Sequence, residues 1–205
     1  FCWGVSASCF AGEQADTLSL LFVGDLMQHQ AQLDAARRED GSFDYSGCFA
    51  EVSPEIMKAD IAVGNLEVPL GGKPYTGYPA FSAPDEWLFA LRDAGFDVFL
   101  AANNHCLDRG KKGLERTVGV FDSLKVWNAG IYRDSLDRAD RYPLLIEKKG
   151  FRIAILNYTY GTNGIPVPSP GMVNLIDRKQ IRQDVVKARR MNPDAIIACM
   201  HWGIE

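Results

Sequence analysis

The sequence lacks the features that mark several common classes of protein. None of its apolar runs approaches the ~18 residues that a helix needs to cross a bilayer. Its 22 Lys and Arg against 26 Asp and Glu give a net charge of −4, which argues against a nucleic-acid groove because phosphate contacts need clustered cations. The five cysteines show no Cys-x-x-Cys spacing, so neither a zinc knuckle nor a disulfide framework is indicated. No Gly-x-Ser-x-Gly element occurs, which leaves acyl transfer without an evident serine nucleophile.

The first sixteen residues differ in character from the rest. Residues 1–5 are mainly apolar and residues 6–11 are mainly small, as at the end of a secretory signal. We therefore expect residues 1–16 to be a residual leader and residues 17–205 to form one domain, exported to the periplasm or the cell surface. Ser8-Cys9 leaves a membrane-anchored lipoprotein as an alternative, although Ser6 stands where a bulky aliphatic residue is expected.

Strand-like and helix-like patterns alternate from residue 18 onwards. Short apolar runs predict strands at residues 18–23, 60–64, 96–101, 126–131, 143–147, 151–158 and 195–200. Caps and apolar residues at helical spacing predict helices that begin near residues 53, 82 and 177, and another across residues 114–121. The residues 148–150 join two strands as an antiparallel hairpin. This order predicts an α/β fold whose mostly parallel, mixed sheet is covered on both faces.

Polar side chains follow four of the predicted strands. They are Asp25, then Asn65 with Glu67, then Asn103, Asn104 and His105, and finally His201 with Glu205. Because the carboxyl ends of parallel strands meet at one edge of a sheet, we expect these groups to converge. Taken singly, each has a plainer explanation: a carboxylate as a helix cap, an asparagine in a turn, a histidine as a structural hydrogen-bonding group. Together they form an oxygen and nitrogen ligand set that suits Mn, Zn or Fe better than a thiolate-seeking ion.

The same segments resemble the ordered motifs of a known family. They are Gly-Asp-Leu-Met at residues 24–27, Asn-Leu-Glu at 65–67, Ala-Asn-Asn-His at 102–105 with Asp108 and Gly110, and His-Trp-Gly at 201–203 with Glu205. This order is similar to that of the CapA, or poly-γ-glutamate capsule-biosynthesis, family. The resemblance runs from about residue 18 to the end. It implies a calcineurin-like α-β-β-α sandwich of mostly parallel, mixed sheets, rather than one open sheet.

Roles for individual residues follow from the resemblance alone. It implies that the metal ligands are Asp25, Glu67, Asn104 and His201, that the catalytic group is His105, and that Asn65, Asn103 and Glu205 bind substrate. The divalent ions would polarise a phosphoryl oxygen and activate water.

Two departures from the family pattern weaken this expectation. Met27 stands where related phosphoesterases carry a histidine, and His29 is at the wrong offset, so we treat His29 as a surface residue. The Gly-His-x-His segment of the family would follow Glu205, so the domain is expected to be incomplete at its C-terminus. We therefore expect weak binding of at most one divalent ion, negligible phosphatase activity and a tendency to associate.

Two functions remain open at this point. One is an exported, metal-dependent hydrolase or transferase that acts on a phosphorylated or anionic envelope molecule. The other is a non-catalytic capsule-assembly component that holds an anionic polymer such as poly-γ-glutamate beside other capsule-synthesis proteins. Capsule association is implied only by the resemblance. No nucleic-acid partner is expected.

Overall fold

The computed structural model describes residues 17–203, so the expected leader over residues 1–16 and the candidate residue Glu205 lie outside the described residues. The strands are β1 (Leu20–Leu26), β2 (Ile61–Leu66), β3 (Val98–Leu100), β4 (Trp127–Ala129), β5 (Ile131–Tyr132), β6 (Leu144–Lys148), β7 (Phe151–Thr159), β8 (Met172–Val173) and β9 (Ala195–His201). The helices are α1 (Gln30–Ala36), α2 (Ser53–Ile56), α3 (Asp85–Asp93), α4 (Gly110–Leu124), α5 (Ser135–Arg141) and α6 (Arg178–Arg190), with a 3₁₀ turn at Ser46–Phe49. No helix in this part of the chain combines the length and apolar character needed to cross a bilayer.

The strands form two main sheets. β1, β2, β3 and β4 lie side by side in that order and are all parallel. The second sheet has the order β6-β7-β9, in which β6 and β7 form the predicted antiparallel hairpin and β7 and β9 are parallel. β5 and β8 make a small antiparallel pair of their own.

The packing shows that the two sheets lie face to face between layers of helix. Val63 and Val98 of the first sheet share one buried apolar cluster with Ile153 and Ile155 of the second. On the other side of the first sheet, Phe99 packs with side chains of α3 and α4. α6 covers the outer face of the second sheet, where Tyr158 donates a hydrogen bond of 2.9 Å to Asp184. The fold is therefore an α-β-β-α sandwich.

One carboxamide ties the two sheets together. The side-chain oxygen of Asn157, on β7, accepts a hydrogen bond of 2.8 Å from the backbone N–H of Ala102, just after β3. The amide nitrogen of the same residue donates to the backbone oxygen of Cys199 on β9 at 3.3 Å. Because Asn157 is buried, its bond to Ala102 is a strong tie between the two sheets near their carboxyl ends, and its bond to Cys199 anchors the carboxamide within its own sheet.

Several sequence-based expectations need correction. The single open sheet suggested by the alternation of elements is wrong, whereas the two-sheet sandwich implied by the family resemblance is confirmed. The strand expected at residues 126–131 is divided at Gly130, whose φ of +116° belongs to the region that favours glycine; a Cβ there would lie 2.3 Å from the backbone nitrogen of Ala102. The first strand also extends further than expected, so that Asp25 lies inside β1 rather than after it.

Candidate metal centre

The carboxyl ends of the strands bring the candidate residues to one edge of the sandwich. β1 and β2 are in register so that Asp25 lies opposite Asn65, and Glu67 follows β2 directly. His201 is the last residue of β9 in the second sheet. Asn104 and His105 occupy the turn between β3 and α4. The first sheet thus supplies the carboxylates and the second sheet supplies an imidazole.

Asp25, Glu67 and His201 form a compact group of side chains of the types that bind metal ions. One ligand atom from each lies within 4.8 Å of the others. His201 Nδ1 is 3.8 Å from Asp25 Oδ1, and His201 Nε2 is 3.7 Å from Glu67 Oε1. Glu67 is buried, whereas Asp25 is about half exposed and opens the group to the surface. A buried carboxylate beside a second one favours a bound cation, so this donor set fits a divalent ion.

Asn65 lies at the centre of the group. Its amide nitrogen donates to Asp25 Oδ1 at 2.7 Å and lies 3.3 Å from both Glu67 Oε2 and His201 Nδ1. Asn103 lies behind it and is fully buried; its amide nitrogen donates to Asn65 Oδ1 at 3.2 Å and to the backbone oxygen of Leu66 at 2.9 Å. Both asparagines therefore brace the cluster, and their roles in substrate binding stay predictions.

Asn104 determines the tautomer of His201. Its side-chain oxygen lies 2.8 Å from His201 Nε2. Because a carboxamide oxygen only accepts hydrogen bonds, Nε2 carries the ring proton when His201 is neutral. Nδ1 then holds the lone pair, on the side of Asp25, and is the ring atom through which His201 would bind an ion.

His105 belongs to a buried pair beside the cluster. Its Nδ1 lies 2.8 Å from Asp108 Oδ2, and both side chains are almost fully buried. The same carboxylate oxygen accepts a hydrogen bond of 2.8 Å from the backbone N–H of Phe81. The Phe81 ring meets the His105 ring edge-on, with 4.8 Å between the ring centroids. Asp108 thus holds the ring with its proton on Nδ1 and leaves Nε2 for proton exchange.

The remaining residues that could compete for a chemical role make packing contacts or are inert. Met27 is half-buried and packs against the apolar core, while His29 is exposed, as expected for a surface residue, and meets the Phe81 ring edge-on at 5.2 Å. Burial raises the pKa of the Cys106 thiol to about 12 and that of Cys199 to about 11. Neither thiol forms an appreciable amount of thiolate near neutral pH, so a cysteine nucleophile is not supported.

Aromatic side chains divide between the core and the rim of the site. Phe81 and Tyr158 are fully buried and serve packing. Tyr78 is exposed and meets the Phe81 ring edge-on, and the partly exposed ring of Tyr160 is stacked at 6.1 Å on His201.

Asn163 is a neighbour of the cluster that the sequence motifs do not reveal. Its side-chain oxygen lies 3.2 Å from the amide nitrogen of Asn104, and its amide nitrogen lies 3.5 Å from His105 Nδ1. In the sequence it reads only as part of an Asn-Gly turn, which is the usual reason for asparagine in a loop.

The fold and the cluster together define the class of protein. A two-sheet α-β-β-α sandwich with carboxylate, imidazole and carboxamide groups gathered at the carboxyl ends of its strands is a calcineurin-like α/β fold. More specifically, the chain belongs to the family described as bacterial capsule synthesis protein PGA_cap, whose family model matches residues 19–205.

Two relatives illustrate the range of this similarity. The chain is 27% identical over 202 residues to the capsule biosynthesis protein CapA of Bacillus anthracis. The aligned region covers 93% of this chain and 47% of that protein. It is also 27% identical over 206 residues to the PGA biosynthesis protein CapA of Bacillus subtilis (strain 168), covering 93% of this chain and 50% of that one. The chain thus spans about half the length of the curated relatives it matches.

Proposed function

We propose that this domain holds one divalent ion between Asp25, Glu67 and His201 and hydrolyses or transfers a phosphoryl group of an anionic envelope molecule. The observation that carries the proposal is the three-residue cluster, whose ligand atoms lie within 4.8 Å of one another next to the His105–Asp108 pair. Asn104 orients the His201 ring from the other side, through the oxygen 2.8 Å from Nε2, and its role as a ligand stays a prediction. The mixture of carboxylates and imidazole suits Mn, Zn or Fe.

Each part of the site has a distinct task in this proposal. Asp25, Glu67 and His201 would hold the ion, which would supply Lewis-acid polarisation of a phosphoryl oxygen. His105, held by Asp108 with its proton on Nδ1, gives or takes a proton at Nε2. Asn65 keeps Asp25 and Glu67 in place through its shared amide nitrogen.

The charge of the cluster favours this function over metal-free binding of an anionic polymer. Asp25 and Glu67 place two carboxylates at the site, and they repel a polycarboxylate or phosphate unless a cation lies between. A non-catalytic polymer-holding role needs the ion as well, and it is the weaker alternative because it leaves the buried His105–Asp108 pair without a task.

The cellular setting of the proposal comes from the family. Membership among capsule synthesis proteins supports an exported protein in the periplasm or at the cell surface, with an anionic or phosphorylated envelope molecule as substrate and other capsule-synthesis proteins as partners. The name of the Bacillus subtilis relative supports poly-γ-glutamate as one such polymer.

The test combines metal content with turnover of an aryl phosphate. Protein purified without chelator and incubated with Mn²⁺ should retain about one ion per chain, as few ligands are available for a second, and should show slow hydrolysis that EDTA abolishes. His105→Asn keeps an N–H for Asp108 but removes Nε2, so it should lower the rate by about a hundredfold or more and leave the metal content unchanged. His29→Asn is the matched control, and both quantities should stay at the parental values. A parental rate in His105→Asn, or no retained ion, would refute the proposal.

A further inference from the structure

The loop that follows β7 contains a tight turn placed against the candidate site. The backbone N–H of Ile165 donates to the oxygen of Thr162 at 2.9 Å and closes a four-residue turn. Its two central residues have positive φ, +49° at Asn163 and +74° at Gly164. Asn-Gly is the dipeptide preferred in turns of this handedness. The backbone alone does not require a side chain at position 163, because glycine adopts the same conformation without strain.

The side chain of Asn163 nevertheless contacts two candidate residues. Its oxygen accepts a hydrogen bond of 3.2 Å from the amide nitrogen of Asn104. That bond fixes which end of the Asn104 carboxamide faces His201, since the Asn104 oxygen lies 2.8 Å from His201 Nε2. Reversing the Asn104 amide would place its N–H₂ group against the proton on His201 Nε2. Asn163 therefore holds in place the carboxamide that orients the candidate ligand His201.

The other end of the Asn163 carboxamide is available to a substrate. Its nitrogen lies 3.5 Å from His105 Nδ1, but that ring nitrogen already carries the proton donated to Asp108 and accepts nothing. Across residues 17–203 there is no other acceptor for this N–H₂ group. Asn163 is an exposed residue, so this donor group belongs to a side chain that a substrate can reach beside His105.

We propose that Asn163 is a further residue of this site, which positions Asn104 through its oxygen and donates from its nitrogen to an oxygen of the anionic group of the substrate. The inference rests on the proposed function and extends it to a residue outside the sequence motifs. The two ends of one carboxamide have separate tasks, so two substitutions separate them. Asn163→Asp keeps an oxygen for Asn104 and removes the donor. Asn163→Gly keeps the turn and removes both.

The test measures Mn²⁺ affinity by isothermal titration, followed by inorganic phosphate affinity in saturating Mn²⁺. Asn163→Gly should bind Mn²⁺ about tenfold more weakly, the usual cost of losing a residue that orients a metal ligand. Asn163→Asp should bind Mn²⁺ at least as tightly as the parent. Both variants should bind phosphate about tenfold to a hundredfold more weakly, because a hydrogen bond to a charged group is lost.

The control is Asn192→Gly. Asn192 has the same left-handed backbone, with φ of +51°, directly after the C-terminal end of α6 and away from the cluster. It should leave both affinities unchanged. If Asn163→Gly binds Mn²⁺ as tightly as the parent, the positioning role is overturned. If Asn163→Asp binds phosphate as tightly as the parent, or if the parent binds no phosphate, the donor role is overturned. Failure of the parent to take up Mn²⁺ would overturn the proposed function together with this inference, so the two failures are distinguishable.

Discussion

Replacement of Glu67 by glutamine tests the ion-binding cluster through thermal stability. An ion that binds only the folded chain stabilises it by about 2.7 kcal/mol at a free concentration of one hundred times Kd. For a domain of this size, about 1 kcal/mol shifts Tm by roughly 2–4 °C, so saturating Mn²⁺ should raise the Tm of the parent by about 5–11 °C. Glu67→Gln retains an oxygen for Asn65 but loses the buried charge, and should show almost none of this shift.

The order of the unfolding temperatures of the parent and the variant should differ between the metal-free and the Mn²⁺-loaded proteins. A neutral amide is easier to bury than a carboxylate, so without Mn²⁺ the Glu67→Gln variant should unfold at or above the temperature of the parent. Glu115→Gln is the matched control, because that carboxylate is exposed on α4 and lies 3.8 Å from Lys111. Differential scanning fluorimetry with and without Mn²⁺ measures all three proteins. An equal Mn²⁺-induced shift in the parent and in Glu67→Gln would show that Glu67 is not a ligand.

Two further predictions concern residues outside the cluster. Because burial raises the pKa of Cys106 to about 12, its thiol stays protonated at pH 8. Iodoacetamide should therefore label the exposed Cys48 but not Cys106 in the folded protein. Equal labelling of the two cysteines, measured by mass spectrometry, would contradict this. Asp184→Ala should cost about 3–5 kcal/mol in urea unfolding, because it leaves Arg138 without the carboxylate 2.7 Å away and removes the acceptor for Tyr158; a loss below about 1 kcal/mol would show that the pair contributes little.

The residues of the cluster could be predicted because strand direction places them. Asp25, Glu67 and His201 each lie at the carboxyl end of an apolar run, and parallel pairing brings such ends to one edge. The division of the strands into two sheets could not be derived from the apolar pattern. Val63 and Ile153 are both buried in the apolar cluster between the sheets, but a single sheet covered on both sides would produce the same runs.

Contacts that depend on loop conformation escaped prediction altogether. The hydrogen bond between Asp108 and His105 needs the particular turn after β3, and the approach of Asn163 to Asn104 needs the loop after β7 to lie over the site. Asparagine before glycine is explained by turn formation alone, so nothing in the local sequence distinguishes Asn163 from a residue that serves only the backbone. Gly130 is similar, since only the fold shows that Ala102 leaves no room for a Cβ there.

The candidate ligands come from both sheets, with Asp25 and Glu67 on one and His201 on the other. An ion held by all three would be a removable cross-link between residues 25 and 201, closing a loop that contains most of the domain. Near the same edge, Asn157 joins the two sheets without an ion, through the hydrogen bond that it accepts from the backbone N–H of Ala102. Loading and release of the ion would therefore tighten and loosen the spacing of the two layers, so that this edge of the sandwich would be most rigid with the ion bound.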